Sequence, residues 1–395
     1  MKQSLVALAI LGAFTGVVSA ATNVTLYGQI EVGYEDLFGR GEFSNGATPD
    51  VTGLSPMQAA VKRATLSNAQ GLLAKSVVQY PRRTDRFGIM GEEDLGNGVS
   101  AIFKLEANFK GDTGDAASGG QLFNRESTVG LKGKFGEVKI GRAKSQVELA
   151  TGGLIGTHGV TDVDLYAISS TRHSNGLFYE YKNSGFTVGA DVTTKGGGWG
   201  NDSEGTDGSK IGYGARLGYY GNGLLARIAY QNDGPVVASP VPSAIGKKQH
   251  EWAGVLAYNF YEGQKIPLAI GVSYAQGKGI AQGFFSATGL STVDTIYAKK
   301  ASTLGAIVRT WFSPNDTAYV LYQKRKSTAE SGATLNNAWA LGLGYEHKLS
   351  KRTAVAIDTV YLKAKNVGVA SPYGFVGFPV SAKAYGYSVG LSHSF

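Results

Sequence analysis

Bulky and small residues alternate along much of this chain. At its end, Tyr385, Tyr387, Val389, Leu391, His393 and Phe395 alternate with Gly386, Ser388, Gly390, Ser392 and Ser394. Side chains of a β-strand point to opposite faces in turn, so one face is bulky and mostly apolar and the other is small. Near the start, Val24, Leu26, Ile30, Val32 and Tyr34 share one face, and Thr25, Gln29, Glu31 and Glu35 share the other. In 99–110, Ala101, Phe103, Leu105, Ala107 and Phe109 oppose Lys104, Glu106, Asn108 and Lys110. The periodicity predicts sixteen strands: 22–35, 82–93, 99–110, 121–133, 137–143, 172–182, 186–195, 210–220, 224–232, 249–261, 265–276, 301–312, 317–327, 336–347, 353–364 and 384–395.

The connections fall into two classes. Short ones carry turn chemistry: Gly96-Asn-Gly98, Gly133-Lys-Phe-Gly136, Asn183-Ser-Gly185, Gly221-Asn-Gly223, Glu262-Gly-Gln264, Ser313-Pro-Asn-Asp316 and the slightly longer Lys348 to Arg352. Long ones lie near 36–81, 111–120, 144–171, 196–209, 233–248, 277–300, 328–335 and 365–383. Short turns at one end, long loops at the other and an even strand count predict an all-β fold. It is a 16-stranded antiparallel transmembrane β-barrel with short periplasmic turns and long extracellular loops. Hydrocarbon offers backbone N–H and C=O groups no partner, so a sheet survives there only when it closes on itself. The apolar face then meets lipid and the polar face meets water. Ser55-Pro-Met-Gln58 has the form of a capping box and predicts a helix within 57–79, with a hairpin over Val61 to Leu66 as the alternative.

Residues 1–20 carry Lys2, an apolar run from Leu5 to Phe14 and the small-residue site Val18-Ser-Ala20. This is the form of a signal peptide, and it predicts a mature chain of 21–395 folded as one barrel domain. No stretch of 18 apolar residues follows, so no spanning helix is expected. Absent cysteine, an exported chain cannot use disulfides. The mean hydropathy of −0.09 fits a barrel with a wet interior. The net charge of +8 is either a solvated surface or an electropositive lumen that attracts anions. No basic cluster with interleaved aromatics occurs, so no nucleic-acid partner is expected. His158, His173, His250, His347 and His393 are scattered, and no metalloprotease helix motif or nucleophile elbow is present. Asp112, Asp115, Asp202, Glu204 and Asp207 lack the spacing of a calcium loop. No cofactor, metal or catalytic site is expected. An outer-membrane enzyme and a secreted β-rich adhesin are the more distant alternatives.

Arg86-Phe-Gly-Ile-Met-Gly-Glu-Glu-Asp-Leu-Gly-Asn-Gly98 followed by Ala101-Ile-Phe-Lys-Leu-Glu106 resembles a hairpin of the beta-proteobacterial, neisserial-type general porins of Gram-negative bacteria. Val24-Thr-Leu-Tyr-Gly28 is similar to that family's first strand. Leu122-Phe-Asn-Arg125 through Val129-Gly-Leu131, then Phe135-Gly-Glu-Val-Lys-Ile-Gly-Arg142, resembles its next hairpin, and Val389-Gly-Leu-Ser-His-Ser-Phe395 its terminal strand. The likeness runs in ordered patches over nearly the whole mature chain. It implies a homotrimer in the cell outer membrane, in contact with membrane lipid and lipopolysaccharide. Each subunit would be a pore for inorganic ions and small hydrophilic solutes, with the third long loop folded into its lumen. The first long connection, 36–81, departs from the family in its length.

The third loop, about 144–171, carries Glu148, Asp162 and Asp164 among several glycines. Arg82, Arg86, Lys104, Arg142 and Arg172 are candidates for a basic wall facing it. Opposed charges across a low-dielectric constriction would set up a transverse field that orders water and resists apolar solutes. Parity places Arg86 and Lys104 inward. Arg142 shares the parity of Val138 and Ile140, which argues outward unless the strand bends there; the resemblance is the reason to retain it. Arg172 has a rim alternative and Arg125 a subunit-contact one. These charges imply weak anion preference, and the resemblance implies general diffusion. A substrate-specific channel, with a sugar or carboxylate track at Tyr166, Arg172 or Tyr179, is the closer alternative.

Overall fold

The computed structural model describes residues 23–43, 72–73, 85–116, 121–152, 167–168, 172–194, 211–235, 246–280, 297–330, 332, 334–365, 368–369, 376–377 and 380–395. Sixteen long strands stand among them. They are β1 (Asn23–Phe43), β2 (Arg86–Asp94), β3 (Ser100–Asn108), β4 (Glu126–Gly133), β5 (Gly136–Lys144), β6 (Arg172–Asn183), β7 (Phe186–Thr193) and β8 (Gly212–Gly221). After these come β9 (Leu224–Pro235), β10 (Lys248–Asn259), β11 (Leu268–Ile280), β12 (Tyr297–Trp311), β13 (Asp316–Thr328), β14 (Thr334–Lys348), β15 (Thr353–Lys365) and β16 (Val380–Ser394). Each pairs antiparallel with its sequence neighbour, and β1 closes the ring. One part of β1 pairs with β2 from Asn23↔Glu92 to Gln29↔Arg86, and the rest pairs with β16 from Gln29↔Ser394 to Phe43↔Val380. The C-terminal residue completes the seam: Gly28 and Phe395 exchange two backbone hydrogen bonds of 3.0 Å each.

Burial is inverted relative to a soluble sheet. On β1, Leu26 is 63% exposed while Glu31 is 2% exposed. The same inversion holds around the wall. Val129, Ile140, Leu217, Ile228, Leu256, Val308, Leu343 and Ile357 lie on the outside, and Asp191, Gln231, Gln249, Gln323 and Asp358 are buried within. An apolar exterior around a polar interior is stable only where the exterior meets hydrocarbon. A row of aromatic rings marks one edge of that belt: Tyr322–Trp339, Trp339–Tyr361 and Tyr361–Tyr385, with centroids 6.4, 5.3 and 4.9 Å apart.

Three details differ from the expected elements, and a fourth expectation is left untested. The turn expected at 262–264 is a short helix, α2 (Phe260–Gln264), because the Asn259 side chain caps the Tyr261 N–H and Lys265 takes a left-handed conformation. Several strands extend past their expected ends, β1 to Phe43 and β12 back to Tyr297, since hairpin pairing continues beyond the lipid belt. The β4 strand starts at Glu126 rather than 121: Asn124 leaves the ladder to accept from the Asn108 N–H, and Arg125 turns to Glu106. The helix expected within 57–79 lies outside the described residues except at Leu72–Leu73, which pair as extended chain with Arg40 and Gly39 of β1.

Candidate functional site

Within the third long connection a helix, α1 (Gln146–Thr151), begins one residue after β5. Ser145 caps it by accepting from the Glu148 N–H, and Ser145-x-x-Glu148 is a capping-box sequence. Six residues are too few to hold a helix alone, so tertiary contacts hold it. Its buried face is Gln146, Val147, Ala150 and Thr151. Val147 and Ala150, with Ala167 and Ile168 from the far end of the same connection, pack against Ala229, Ala253, Ala275, Ala298 and Ala301 of the inner wall. Alanine on four adjacent strands leaves a shallow apolar recess on the inner wall, and these four loop side chains fill it.

Polar contacts fix the loop further. Arg227 of β9 donates to the carbonyl oxygens of Leu149, Ala150 and Gly152, the last at 3.0 Å. The Val147 N–H donates to Gln231 Oε1 at 3.2 Å, and Gln231 Nε2 donates to Asp233 Oδ1 at 3.0 Å. Asp233 in turn shares the His173 ring with Asp191, at 3.0 and 2.6 Å, and all three side chains are buried. Arg216 reaches Gln146 and Glu180. The Glu251 carboxylate accepts from the backbone N–H groups of Ala167 and Ile168. Both described ends of the third connection are thus bound to the inside of the barrel.

The basic residues gather on the strands around β2 to β6. Arg125 Nε donates to Glu106 Oε1, Tyr27 Oη donates to Glu106 Oε2 at 2.8 Å, and Arg86 Nε and Lys104 Nζ each stand 3.9 Å from the same carboxylate. Lys104 also pairs with Glu126 at 2.8 Å, and Lys139 bridges Glu126 and Glu137. Arg172 Nε donates to the Arg125 carbonyl at 2.9 Å and lies within electrostatic reach of Arg125, Arg142, Glu148 and Glu106. A register shift between Gly141 and Ala143, with Gly141 at φ +131°, breaks the alternation of β5, and Arg142 reaches the Asn124 carbonyl and the Ser174 hydroxyl. Beside this cluster is a cavity of about 980 Å3 whose lining includes Lys104, Glu126, Lys132 and Lys139.

Arg86, Lys104, Arg142, Arg172 and Glu148 are therefore all described, and Arg172 links the arginine cluster to the helix that carries Glu148. Arg82, Asp162 and Asp164 lie outside the described residues. The layout is finer than two opposed walls: Glu106 and Glu126 stand among the bases, and Glu148 pairs with Lys144 of its own segment at 3.0 Å. Sequence reasoning put Glu106 on the polar face without giving it a role, and a pairing of Lys104 with Glu126 needed the β3–β4 register. The Ser145 capping box was a readable signal. Tyr179 sits on the outer face and donates to the Phe135 carbonyl, so it lines no solute track.

Residues 7–367 match the family model described as Gram-negative porin. The chain is 28% identical to the outer membrane porin protein 32 of Delftia acidovorans, with both chains covered completely. It is 35% identical to the major outer membrane protein P.IB of Neisseria meningitidis over 37% of this chain and 34% of that one. In fold it is similar to the anion-selective porin from Comamonas acidovorans, with a TM-score of 0.65 at 22% identity over 95% of this chain and 100% of that chain. A trimer form of OmpT from Vibrio cholerae matches with a TM-score of 0.57 at 13% identity, covering 95% of this chain and 100% of that one. A closed sixteen-stranded barrel, an apolar outside, a charged lumen with an inward loop, and a family match across most of the chain have one meaning: this chain belongs to the Gram-negative porins of the outer membrane.

Proposed function

We propose that this porin passes inorganic ions and small hydrophilic solutes passively, with weak anion preference set where α1 faces the cluster of Arg86, Lys104, Arg125, Arg142 and Arg172. One observation carries the reading: among the described residues, Arg86, Lys104, Arg125, Lys139, Arg142, Lys144 and Arg172 stand with four neighbouring carboxylates, Glu106, Glu126, Glu137 and Glu148. The surplus is positive, and low-dielectric walls focus its field on the water path. Asp162 and Asp164 would complete the acidic side and Arg82 the basic one. The anion-selective porin from Comamonas acidovorans, which shares this fold, supports the same sign. The subunits assemble as homotrimers among outer-membrane lipid and lipopolysaccharide, in keeping with the trimeric neighbour. Residues 1–20 act as the export signal, and 21–395 form the one barrel domain. The test is reversal potential across a planar bilayer under a KCl gradient. Wild-type protein gives an anion-selective sign, and Arg86→Glu moves it toward cations. A cation-selective wild type rejects the reading, and an unmoved variant removes Arg86 from the constriction.

A further inference from the structure

A cavity of about 310 Å3 opens inside the barrel at its short-turn, periplasmic end, on β12 to β16. That volume suits a solute with a single ring. None of its lining residues belongs to the basic cluster on β2 to β6. Its strand residues Arg309, Trp311, Thr317, Tyr319, Glu346 and Lys348 share the parity of buried Ile307, Leu321 and Ala340, so they face the lumen. Lys351 and Arg352, on the turn between β14 and β15, stand at its outer end.

Cross-strand register sorts the site by depth. Arg309, Tyr319 and Gly344 form the innermost row, and Trp311, Thr317 and Glu346 form the next. Lys348, Ala354 and Ser392 form the row nearest the turn. Successive rows are roughly 7 Å apart. Tyr319 crosses Gly344: a Cβ there would stand 2.1 Å from its ring, and its hydroxyl donates to Asp358 at 2.5 Å. The Arg309 guanidinium carbon lies 5.8 Å from the centre of the same ring. At the outer end the Ser350 hydroxyl accepts from the N–H groups of Arg352 and Thr353, at 3.1 and 3.0 Å, and fixes the turn that carries Lys351 and Arg352. Among the described lining residues the cations are Arg309, Lys348, Lys351 and Arg352, and the one carboxylate is Glu346. Lys348, Lys351 and Arg352 form no ion pair with a described carboxylate.

The geometry points to a binding site for a monosaccharide phosphate where the pore opens to the periplasm. Its phosphate sits among Lys348, Lys351 and Arg352, its hydroxyls meet Glu346 and Thr317, and one face of its ring lies on Trp311. The inference rests on the pore reading above and deepens it by naming a solute class. The order of the groups chooses the occupant. Three cations on one short segment match a phosphomonoester, which carries close to two negative charges and three acceptor oxygens. One row further in, Glu346 repels a second anionic head and accepts from hydroxyl groups. Inorganic phosphate reaches the cations and leaves the inner rows unused. A neutral sugar uses the inner rows and leaves the cations without a partner. A held turn and a ring pinned against a glycine keep the site formed before the solute arrives, which lowers the ordering cost of binding.

Purified full-length protein in detergent is titrated with glucose 6-phosphate, glucose and inorganic phosphate. Binding is read by calorimetry, which needs no conduction. Glucose 6-phosphate binds saturably, and each of the other two binds roughly tenfold more weakly. Lys348→Gln/Lys351→Gln/Arg352→Gln weakens glucose 6-phosphate by on the order of tenfold, since each exposed ion contact supplies only part of a tenfold. Trp311→Leu weakens glucose 6-phosphate and leaves inorganic phosphate unchanged. Absence of saturable binding by the wild type overturns the inference without recourse to a variant. Equal binding of inorganic phosphate overturns the sugar assignment. Undiminished affinity in a triple variant that keeps its heat-resistant folded band overturns the residue assignment. Reversal potential on the same preparations reports separately on the pore reading: an anion-selective channel that binds no glucose 6-phosphate loses this inference alone.

Discussion

Replacing Glu251 should release the third loop from the wall without unfolding the barrel. Its carboxylate is fully buried and accepts from two backbone N–H groups, Ala167 and, at 3.1 Å, Ile168. Glu251→Ala leaves both donors without an acceptor. A buried unsatisfied polar group costs about 1–3 kcal/mol, so the gross loss is about 2–6 kcal/mol. Removing the carboxylate also relieves its own desolvation, which brings the net to the lower part of that range, about 2–4 kcal/mol. At about 1.4 kcal/mol per tenfold, the docked-to-undocked ratio falls by roughly 30- to 1,000-fold. The apolar seat of Val147, Ala150 and Ile168 on the wall alanines remains, so the loop samples undocked positions rather than leaving for good. Single-channel recording is the assay. Wild-type protein conducts steadily; Glu251→Ala flickers between conductance levels; Glu251→Gln, which keeps one acceptor oxygen, falls between. The heat-induced mobility shift of all three on gels stays alike, because no ladder bond is lost. An alanine variant as quiet as wild type, at equal conductance, refutes the clamp.

His173→Ala removes the bridge between Asp191 and Asp233 and leaves two carboxylates buried without it; a loss of about 3–5 kcal/mol is expected, seen as a lower urea midpoint for unfolding in detergent. Gly28→Val places a side chain against the Phe395 ring, whose nearest atom would lie 2.3 Å from an added Cβ, so barrel closure should weaken by about 1–3 kcal/mol and the heat-resistant folded band should diminish on gels. Glu330, in the exposed β13–β14 connection, is held below the ordinary carboxylate range mainly by its hydrogen bond to Lys247 at 2.9 Å. A depressed carboxylate pKa contributes ordering that is present above the ordinary glutamate range and lost as pH falls through the lowered value. Hydrogen exchange in that connection should therefore rise only in acid, and Glu330→Gln should abolish the transition.

Much of this molecule was legible from its residues one strand at a time. The alternation of Val24, Leu26 and Ile30 with Gln29 and Glu31 assigned faces directly, because strand geometry allows no other arrangement at that period. Glycine and asparagine at 96–98 and 222–223 marked hairpins because those turns need positive φ, which Gly96, Asn97, Gly98, Asn222 and Gly223 all adopt. Closure followed from the solvent, since lipid tolerates no open edge.

What the chain could not declare alone were relations between distant residues. Arg142 reads as lipid-facing by parity, and only the shift at Gly141 carries its guanidinium to Asn124 and Ser174. Ala229, Ala253, Ala275, Ala298 and Ala301 look unremarkable on separate strands; the barrel's register makes them one recess. Glu106 and Arg125 are 19 residues apart, Tyr27 and Glu106 are 79 apart, and their meeting depends on strand stagger. Local periodicity therefore determined which way side chains turn wherever a strand runs without a register shift. Only the closed sheet decided which side chains meet, because register fixes cross-strand neighbours and no residue specifies register by itself.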